Sequence, residues 1–347
     1  MSSSERIRLI GGTGSPYTQK MVALLRYRHI PYAITWNDPN RALDALGIER
    51  PRPILMPTFL FEGCDGGVNA VCDSTPIIRR LEAMYSGRSV LPADPALAFL
   101  DYLIEDFADE WCTKYMFHYR WHPQEDAENA GTLLPLGFDV SMPRAELQTL
   151  SRQIAKRQVE RLYVVGSNEV TAPVIDASYQ RFLAAMENHL EQQPFLLGRR
   201  PGASDFSLYG QLTQLVGFDP TPRALTHKGS PRAVAWVNRM EDQSGLEPAE
   251  GDWNDCADLP SSLRVILEEV GRVYVPALLA NARAVEGGRE SWQAEIDGSL
   301  WSQRTFPYQA KCLKWINEEY RALGADVRAQ VDAALEGTGC EEVVLSV

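Results

Sequence analysis

Residues 56–75 read MPTFLFEGCDGGVNAVCDST, and the rest of the chain is placed relative to them. Pro57 stands directly before the apolar run Thr58 to Phe61, a short strand, and a residue with no N–H to give a sheet belongs at a strand's first position. A proline so placed suits a cis bond. That geometry turns the Met56 peptide outward and leaves its N–H and C=O free for an extended peptide lying alongside as an extra strand. Glu62 to Gly67 is rich in turn formers, Asn69 to Cys72 reads as the next strand, and Asp73-Ser74-Thr75-Pro76 opens a helix with apolar Ile77, Ile78, Leu81 and Met84. Ser74 is the expected N-cap. A hydroxyl and free N–H groups at a helix start hold a carboxylate, and Asp73 beside them holds an ammonium, so the pair fits an α-amino acid head. An ordinary helix cap accounts for the same two residues without a ligand.

This order of proline-led strand, hairpin and acidic-Ser helix start resembles the N-terminal domain of glutathione transferases, which has a thioredoxin-like fold. In that family the residue before a cis-proline pairs with the cysteinyl backbone of glutathione, and the acidic-Ser pair holds the γ-glutamyl end. Met56-Pro57 and Asp73-Ser74 match those positions, so the resemblance implies glutathione, as co-substrate, held by Met56, Pro57, Asp73 and Ser74. Its glycine end would meet a donor from within Asn37 to Arg52. Upstream, a strand at Arg6 to Gly11, a helix from Tyr17 to about His29, a strand at Tyr32 to Trp36 and a second helix at Asn40 to Gly47 complete the β-α-β-α-β-β-α plan.

Ser15-Pro16-Tyr17-Thr18 falls where glutaredoxins and Cys-type transferases carry Cys-Pro-aromatic-x. A serine cannot form the mixed disulfide of thiol-disulfide exchange. At a helix N-terminus it can cap the helix, or donate a hydrogen bond to a bound thiolate and favour that ionised form. The second role makes Ser15 the expected catalytic residue, with Tyr17 and Thr18 as alternative hydroxyls. Gly12-Thr13-Gly14 after a strand also matches part of a dinucleotide fingerprint, but Tyr17 fills the third glycine position and no second βαβ half follows.

Ser86 to Pro95 (SGRSVLPADP) is a linker, followed by a helical pattern from Ala96 to about His122. It carries Asp101, Glu105, Asp106, Asp109 and Glu110 and ends in Trp111, Tyr115, Phe117, His118, Tyr119, Arg120 and Trp121. The aromatic end would line an acceptor pocket or serve as core. His118 and His122 have the i, i+4 spacing of metal ligands, but no Glu follows His118 and Pro123 ends the helix, so no metal is expected. Residues 123–142 read as a long surface loop, and Arg144 to Val165 as a basic helix with a solvated face. Pro194 to Phe206 resembles the start of the buried helix in the transferases' all-helical domain, with Asp205 at the acid position of a capping box but Gly202 where a Ser or Thr cap is usual. After about residue 245 come helical patterns at Ser262 to Ala284, Tyr308 to Leu323 and Ala325 to Leu335, with enough aromatics to pack. That ordering resembles an extension on a bacterial subgroup of glutathione-transferase-like proteins.

The expected architecture is a thioredoxin-like glutathione-binding domain at 1–88, an all-helical domain at 94–245 and a helical extension at 246–347. A net charge of −12 disfavours nucleic acid and anionic membrane as partners. No apolar run approaches the roughly 20 residues of a membrane span, and MSSSERIRLI lacks a signal-peptide core, which leads to a cytoplasmic expectation. The six cysteines show no metal-like clustering. Free thiols are expected, including Cys64 and Cys72, which flank the hairpin. The resemblance implies a transferase that conjugates glutathione to a small apolar electrophile, in a homodimer. The competing expectation is a non-catalytic module of the same fold, used for binding or assembly.

Overall fold

The computed structural model describes residues 6–63 and 66–345. Cys64, and with it any pairing to Cys72, lies outside them; Cys112, Cys256, Cys312 and Cys340 are free thiols. The N-terminal part runs β1 (Ile7–Gly11), α1 (Pro16–Tyr27), β2 (Tyr32–Trp36), α2 (Pro39–Leu46), β3 (Thr58–Glu62), β4 (Val68–Val71) and α3 (Ser74–Met84). The strands form one sheet in the order β2-β1-β3-β4, with β1 and β2 parallel and the other pairs antiparallel. Alternation along the strands sorts the side chains onto two faces. Leu9, Phe59 and Phe61 join Met21, Leu24 and Leu25 of α1 and Ile77, Ile78 and Leu81 of α3. Ile10 and Leu60 meet Ala42 and Leu43 of α2 on the other face. This is the thioredoxin-like arrangement, not a doubly wound nucleotide-binding sheet. The Met56–Pro57 bond is cis, as is Arg52–Pro53.

The helical part continues with α4 (Pro95–Glu110), α5 (Cys112–Trp121), α6 (Gln124–Leu136), α7 (Arg144–Val159), α8 (Ala172–Leu190), α9 (Ala203–Thr213), α10 (Pro220–Gly229) and α11 (Pro231–Met240). The single helix expected at 96–122 is divided at Trp111. Residues 123–142, expected as a loop, are mostly helix α6. Pro135 lies inside α6, one residue before its end, so the ladder bond it cannot donate is lost in the last turn and not in mid-helix. The basic helix α7 lies along α6 and buries no residue of its own.

The extension comprises α12 (Ser261–Glu269), α13 (Val275–Glu286), β5 (Ser291–Ile296), β6 (Ser299–Arg304), α14 (Pro307–Ala322), α15 (Ala325–Leu335) and α16 (Glu341–Leu345). It is not wholly helical. Trp292 and Ile296 of β5 and Trp301 of β6 turn inward, while Asp297-Gly298, both at positive φ, close the antiparallel hairpin. Both α14 and α15 lie against α4, so the extension packs on the body of the molecule.

Helix α9 runs through the core, and its start resolves the irregular capping box. Asp205 carboxylate oxygens accept from the Gly202 N–H at 2.9 Å and the Leu196 N–H at 3.0 Å. The missing cap hydroxyl is replaced from another helix: Asp101 Oδ1 accepts from the Ser204 N–H at 3.1 Å and the Ser204 hydroxyl at 2.6 Å. A Cβ on Gly202 would lie 2.4 Å from that same oxygen. Gly202→Ser, which restores the usual sequence pattern, is therefore expected to destabilise the fold by about 1–3 kcal/mol through overpacking. Urea unfolding checks this; a stabilised variant would show that Asp101 yields its place at no cost.

Candidate functional site

The sheet and its first and third helices bring three segments together. Pro16 takes the first position of α1, with its preset φ, and Ser15 caps the helix. Ser15 is buried; its Oγ accepts from the Thr18 N–H at 3.2 Å and donates to the Met56 carbonyl at 3.4 Å. The other two hydroxyls are committed elsewhere. Tyr17 donates to the Asp109 carbonyl at 2.7 Å, and burial, reinforced by the charge of Asp109, raises its pKa. Thr18 is fully buried, and its Oγ1 accepts from the Gly12 N–H at 3.4 Å.

At the start of α3 the helix begins one residue earlier than expected. Asp73, not Ser74, holds the cap position, at φ 83°, and makes no side-chain cap bond. A non-glycine residue in that region persists only where its surroundings hold it. The Asp73 carboxylate instead accepts from the Tyr308 hydroxyl of α14 at 2.8 Å. Ser74 Oγ is buried and accepts from Lys20 Nζ at 2.9 Å.

Lys20 is the residue the sequence reading passed over. It is fully buried on α1, and its ammonium also reaches Glu105 at 2.8 Å and Asp109 at 2.6 Å on α4. Thr75 Oγ1 donates to the same Glu105 oxygen at 2.9 Å. Burial alone would lower the Lys20 pKa, but Asp109 and Glu105 hold it above its ordinary value. Burial pushes Asp109 up to about 6 against the pull of Lys20. The buried ammonium thus ties the start of α3 to α1 and α4. A signal for it exists: Lys20 shares a helical stripe with Ala23, Leu24 and Tyr27, and Asp101, Glu105 and Asp109 recur at every fourth residue.

Arg120 props the loop before Ser15 from the other side. Its guanidinium is buried, pairs with Asp219 at 2.9 Å and donates to the Gly14 carbonyl at 2.8 Å. Over this loop lies an apolar wall. A Cβ on Gly12 would lie 2.7 Å from the Phe138 ring and 3.5 Å from Met56 Sδ, and one on Gly14 would lie 2.1 Å from Leu134 Cδ2 and 3.7 Å from the Phe218 ring. The wall therefore comes from α6, the segment after it and Phe218, and not from the aromatic end of the long helix as the pocket expectation had it. Trp111, Tyr115, Tyr119 and Trp121 are core.

His118 and His122 stack at 4.6 Å, but His118 Nδ1 bonds Ser167 Oγ at 2.7 Å and His122 Nε2 meets Glu169 at 3.3 Å. Among the described residues no group of three or more His, Cys, Asp or Glu side chains is placed to hold a metal. Likewise no helix among them is long and apolar enough to cross a membrane. In the region expected to serve the glycine end, Arg50 turns onto Asp44 at 3.0 Å and Asn40 at 3.3 Å.

Against known families, the N-terminal domain model of glutathione S-transferase matches residues 9–89, and the C-terminal domain model matches residues 148–239. The chain belongs to the glutathione S-transferase family. No curated protein matches its sequence. Among solved structures it is similar to a glutathione S-transferase from Methylobacterium radiotolerans in complex with glutathione sulfonate, at 18% identity over 68% of this chain and 91% of that one, with a TM-score of 0.39. A Tau class glutathione S-transferase from mango, Mangifera indica, is 16% identical over 71% of this chain and 94% of that one, with a TM-score of 0.40. FzlA from C. crescentus is 15% identical over 72% and 96%, with a TM-score of 0.41.

This glutathione S-transferase family member buries an unusual load of carboxyl groups. Burial pushes Asp101 and Glu110 up to about 8, and Asp106 and Asp205 up to about 7. In the unfolded chain each loses its proton near pH 4. Between pH 4 and 8 the folded chain holds the extra protons, so stability falls as pH rises through that window. Buried His118, lowered to about 4, acts oppositely between pH 6.5 and 4, where the folded chain is proton-poor. Stability is therefore expected to peak on the acidic side of neutral and to drop by about 1–3 kcal/mol from pH 6.5 to pH 8. Urea midpoints at the two pH values check the sign, and a higher midpoint at pH 8 would contradict it.

Proposed function

We propose that the chain binds glutathione along Met56 and Pro57, with the γ-glutamyl end at Asp73 and Ser74 and the sulfur toward Ser15, and transfers it to a small apolar electrophile. The observation that carries this reading is the 3.4 Å approach of the Ser15 hydroxyl, at the start of α1, to the carbonyl of Met56 before the cis-proline. That hydrogen bond is long, and the same hydroxyl can turn to a sulfur lying over the helix start. There the aligned peptide dipoles and an aimed donor favour a thiolate. The thiol proton leaves to solvent, the sulfur lone pair forms the new S–C bond, and the displaced group departs with its bonding electrons. Met56 Sδ, Leu134, Phe138 and Phe218 supply apolar surface beside that point, which suits an apolar acceptor. A cytoplasmic setting, where glutathione is the reduced thiol, belongs to the same reading.

Binding is tested through Asp73. If its carboxylate pairs with the ligand ammonium, Asp73→Asn weakens glutathione binding by about 1.5–3 kcal/mol, measured by calorimetry. Equal affinities for the two proteins would remove Asp73 from the site.

A second reading has its own support. Ser15 is buried with both hydrogen-bonding roles in use, and Asp73 is engaged by Tyr308. A binding or assembly module of the same fold would show these features without turnover. Glutathione binding with no conjugation across a broad electrophile panel favours it.

A further inference from the structure

The extension reaches the site at one side chain. Tyr308, in the first turn of α14, places its hydroxyl 2.8 Å from Asp73 Oδ2, across 235 residues of chain. Its ring stands edge-on to Trp315 at 5.9 Å and beside Phe306 at 6.1 Å, which fixes where the hydroxyl points. Helix α14 is fastened at two further points. Gln309 donates to the Glu110 carbonyl at 3.4 Å, and Glu319 pairs with Arg79 of α3 at 2.5 Å. Arg79 lies in turn over the Tyr102 ring at 4.9 Å.

A carboxylate offers about four lone-pair directions, and one phenol takes one of them. The half-buried Asp73 keeps capacity for a cation, with its orientation set by a donor that brings no positive charge. Lys20 cannot play that part, because its ammonium is already matched by Glu105 and Asp109. The unusual backbone of Asp73 also requires an outside restraint.

We propose that Tyr308 is a positioning residue for the ligand's α-ammonium group: the extension completes the γ-glutamyl end of the site by holding the Asp73 carboxylate in place. This rests on the reading that glutathione binds at Asp73. A ligand with a free α-amino group then gains from Tyr308, and the same ligand lacking that group does not.

The test compares glutathione with its desamino analogue, in which hydrogen replaces the γ-glutamyl amino group, on wild type, Tyr308→Phe, Asp73→Asn and the double variant by calorimetry. Tyr308→Phe is expected to weaken glutathione binding by about 3- to 30-fold and leave the analogue's affinity unchanged. In the Asp73→Asn background the same change should have no further effect. Equal weakening toward both ligands would make Tyr308 a packing residue only, and tighter glutathione binding would make it a competitor; either overturns the proposal. If wild type itself does not distinguish the two ligands, Asp73 is not the ammonium site, and the underlying reading has failed instead. Circular dichroism of Tyr308→Phe separates loss of binding from loss of fold.

Discussion

Lys20→Met is expected to cost about 3–5 kcal/mol of folding stability, because it leaves two buried carboxylates facing each other without their cation. Glu105 and Asp109 both reach the Lys20 ammonium at hydrogen-bonding distance, and Ser74 loses its donor at the same time. Methionine fills nearly the same volume, so the loss is one of charge and not of packing. The deficit has a pH signature. Without the ammonium, the folded-state pKa of Asp109 rises further, so the penalty grows as pH rises and shrinks toward pH 5. Adding Asp109→Asn should recover part of the loss, since it removes one of the stranded charges. Urea unfolding at pH 5.5 and 7.5 reads all three statements. A loss under about 1 kcal/mol at pH 7.5, or no recovery in the double variant, would show that water already solvates the cluster.

Ser15→Ala is expected to lower conjugation by about 10- to 1000-fold while glutathione affinity changes little. The asymmetry follows from where the donor acts. A hydroxyl aimed at sulfur interacts weakly with a thiol and strongly with a thiolate, so its removal falls mainly on the reacting state. The helix start remains in the variant, as do Met56 and Asp73. Removing a cap also costs about 1 kcal/mol of stability, so activity should be read well below the unfolding transition. Full activity in Ser15→Ala would break the catalytic assignment. Tyr17 and Thr18 are poor replacements: Tyr17 points at the Asp109 carbonyl, and Thr18 has no exposed surface. Ser15→Cys should instead turn the chain toward thiol-disulfide exchange, because a cysteine at that helix end tends to ionise.

The N-terminal elements were legible because each carries a local signal. Pro57 before an apolar run, Pro16 after a capping serine and Asp-Ser before a periodic stretch all act within a few residues of themselves. The misreadings are of two kinds. Some signals were present and went unread: Asp297-Gly298 lies between runs that alternate inward Trp292, Ile296 and Trp301 with outward residues, the ordinary mark of a hairpin. Others are not local. Nothing near Gly202 announces that Asp101, on another helix, will cap α9 in place of a serine. Nothing near Asp73 announces Tyr308. Acid runs such as that of α4 usually face solvent, and only the partners on α1, α9 and the extension explain why this one is buried. The α6 segment, with Gly131 and Pro135 inside it and Pro123 before it, has a loop's composition and becomes helix through its packing on α7.

The acids of α4 also tie the docking of the extension to pH. Asp101, Glu105 and Asp109 find partners on helices within or near the first two thirds of the chain, but Asp106 waits for Tyr274, and Glu110 for the helix that carries Gln309. Where the extension is undocked, Asp106 and Glu110 lose these neighbours and face water, which favours their ionised forms. Docking dehydrates them and pushes their pKa values up to about 7 and about 8. Docking of the extension is therefore expected to take up protons near neutral pH and to be firmer in a slightly acidic medium than in an alkaline one.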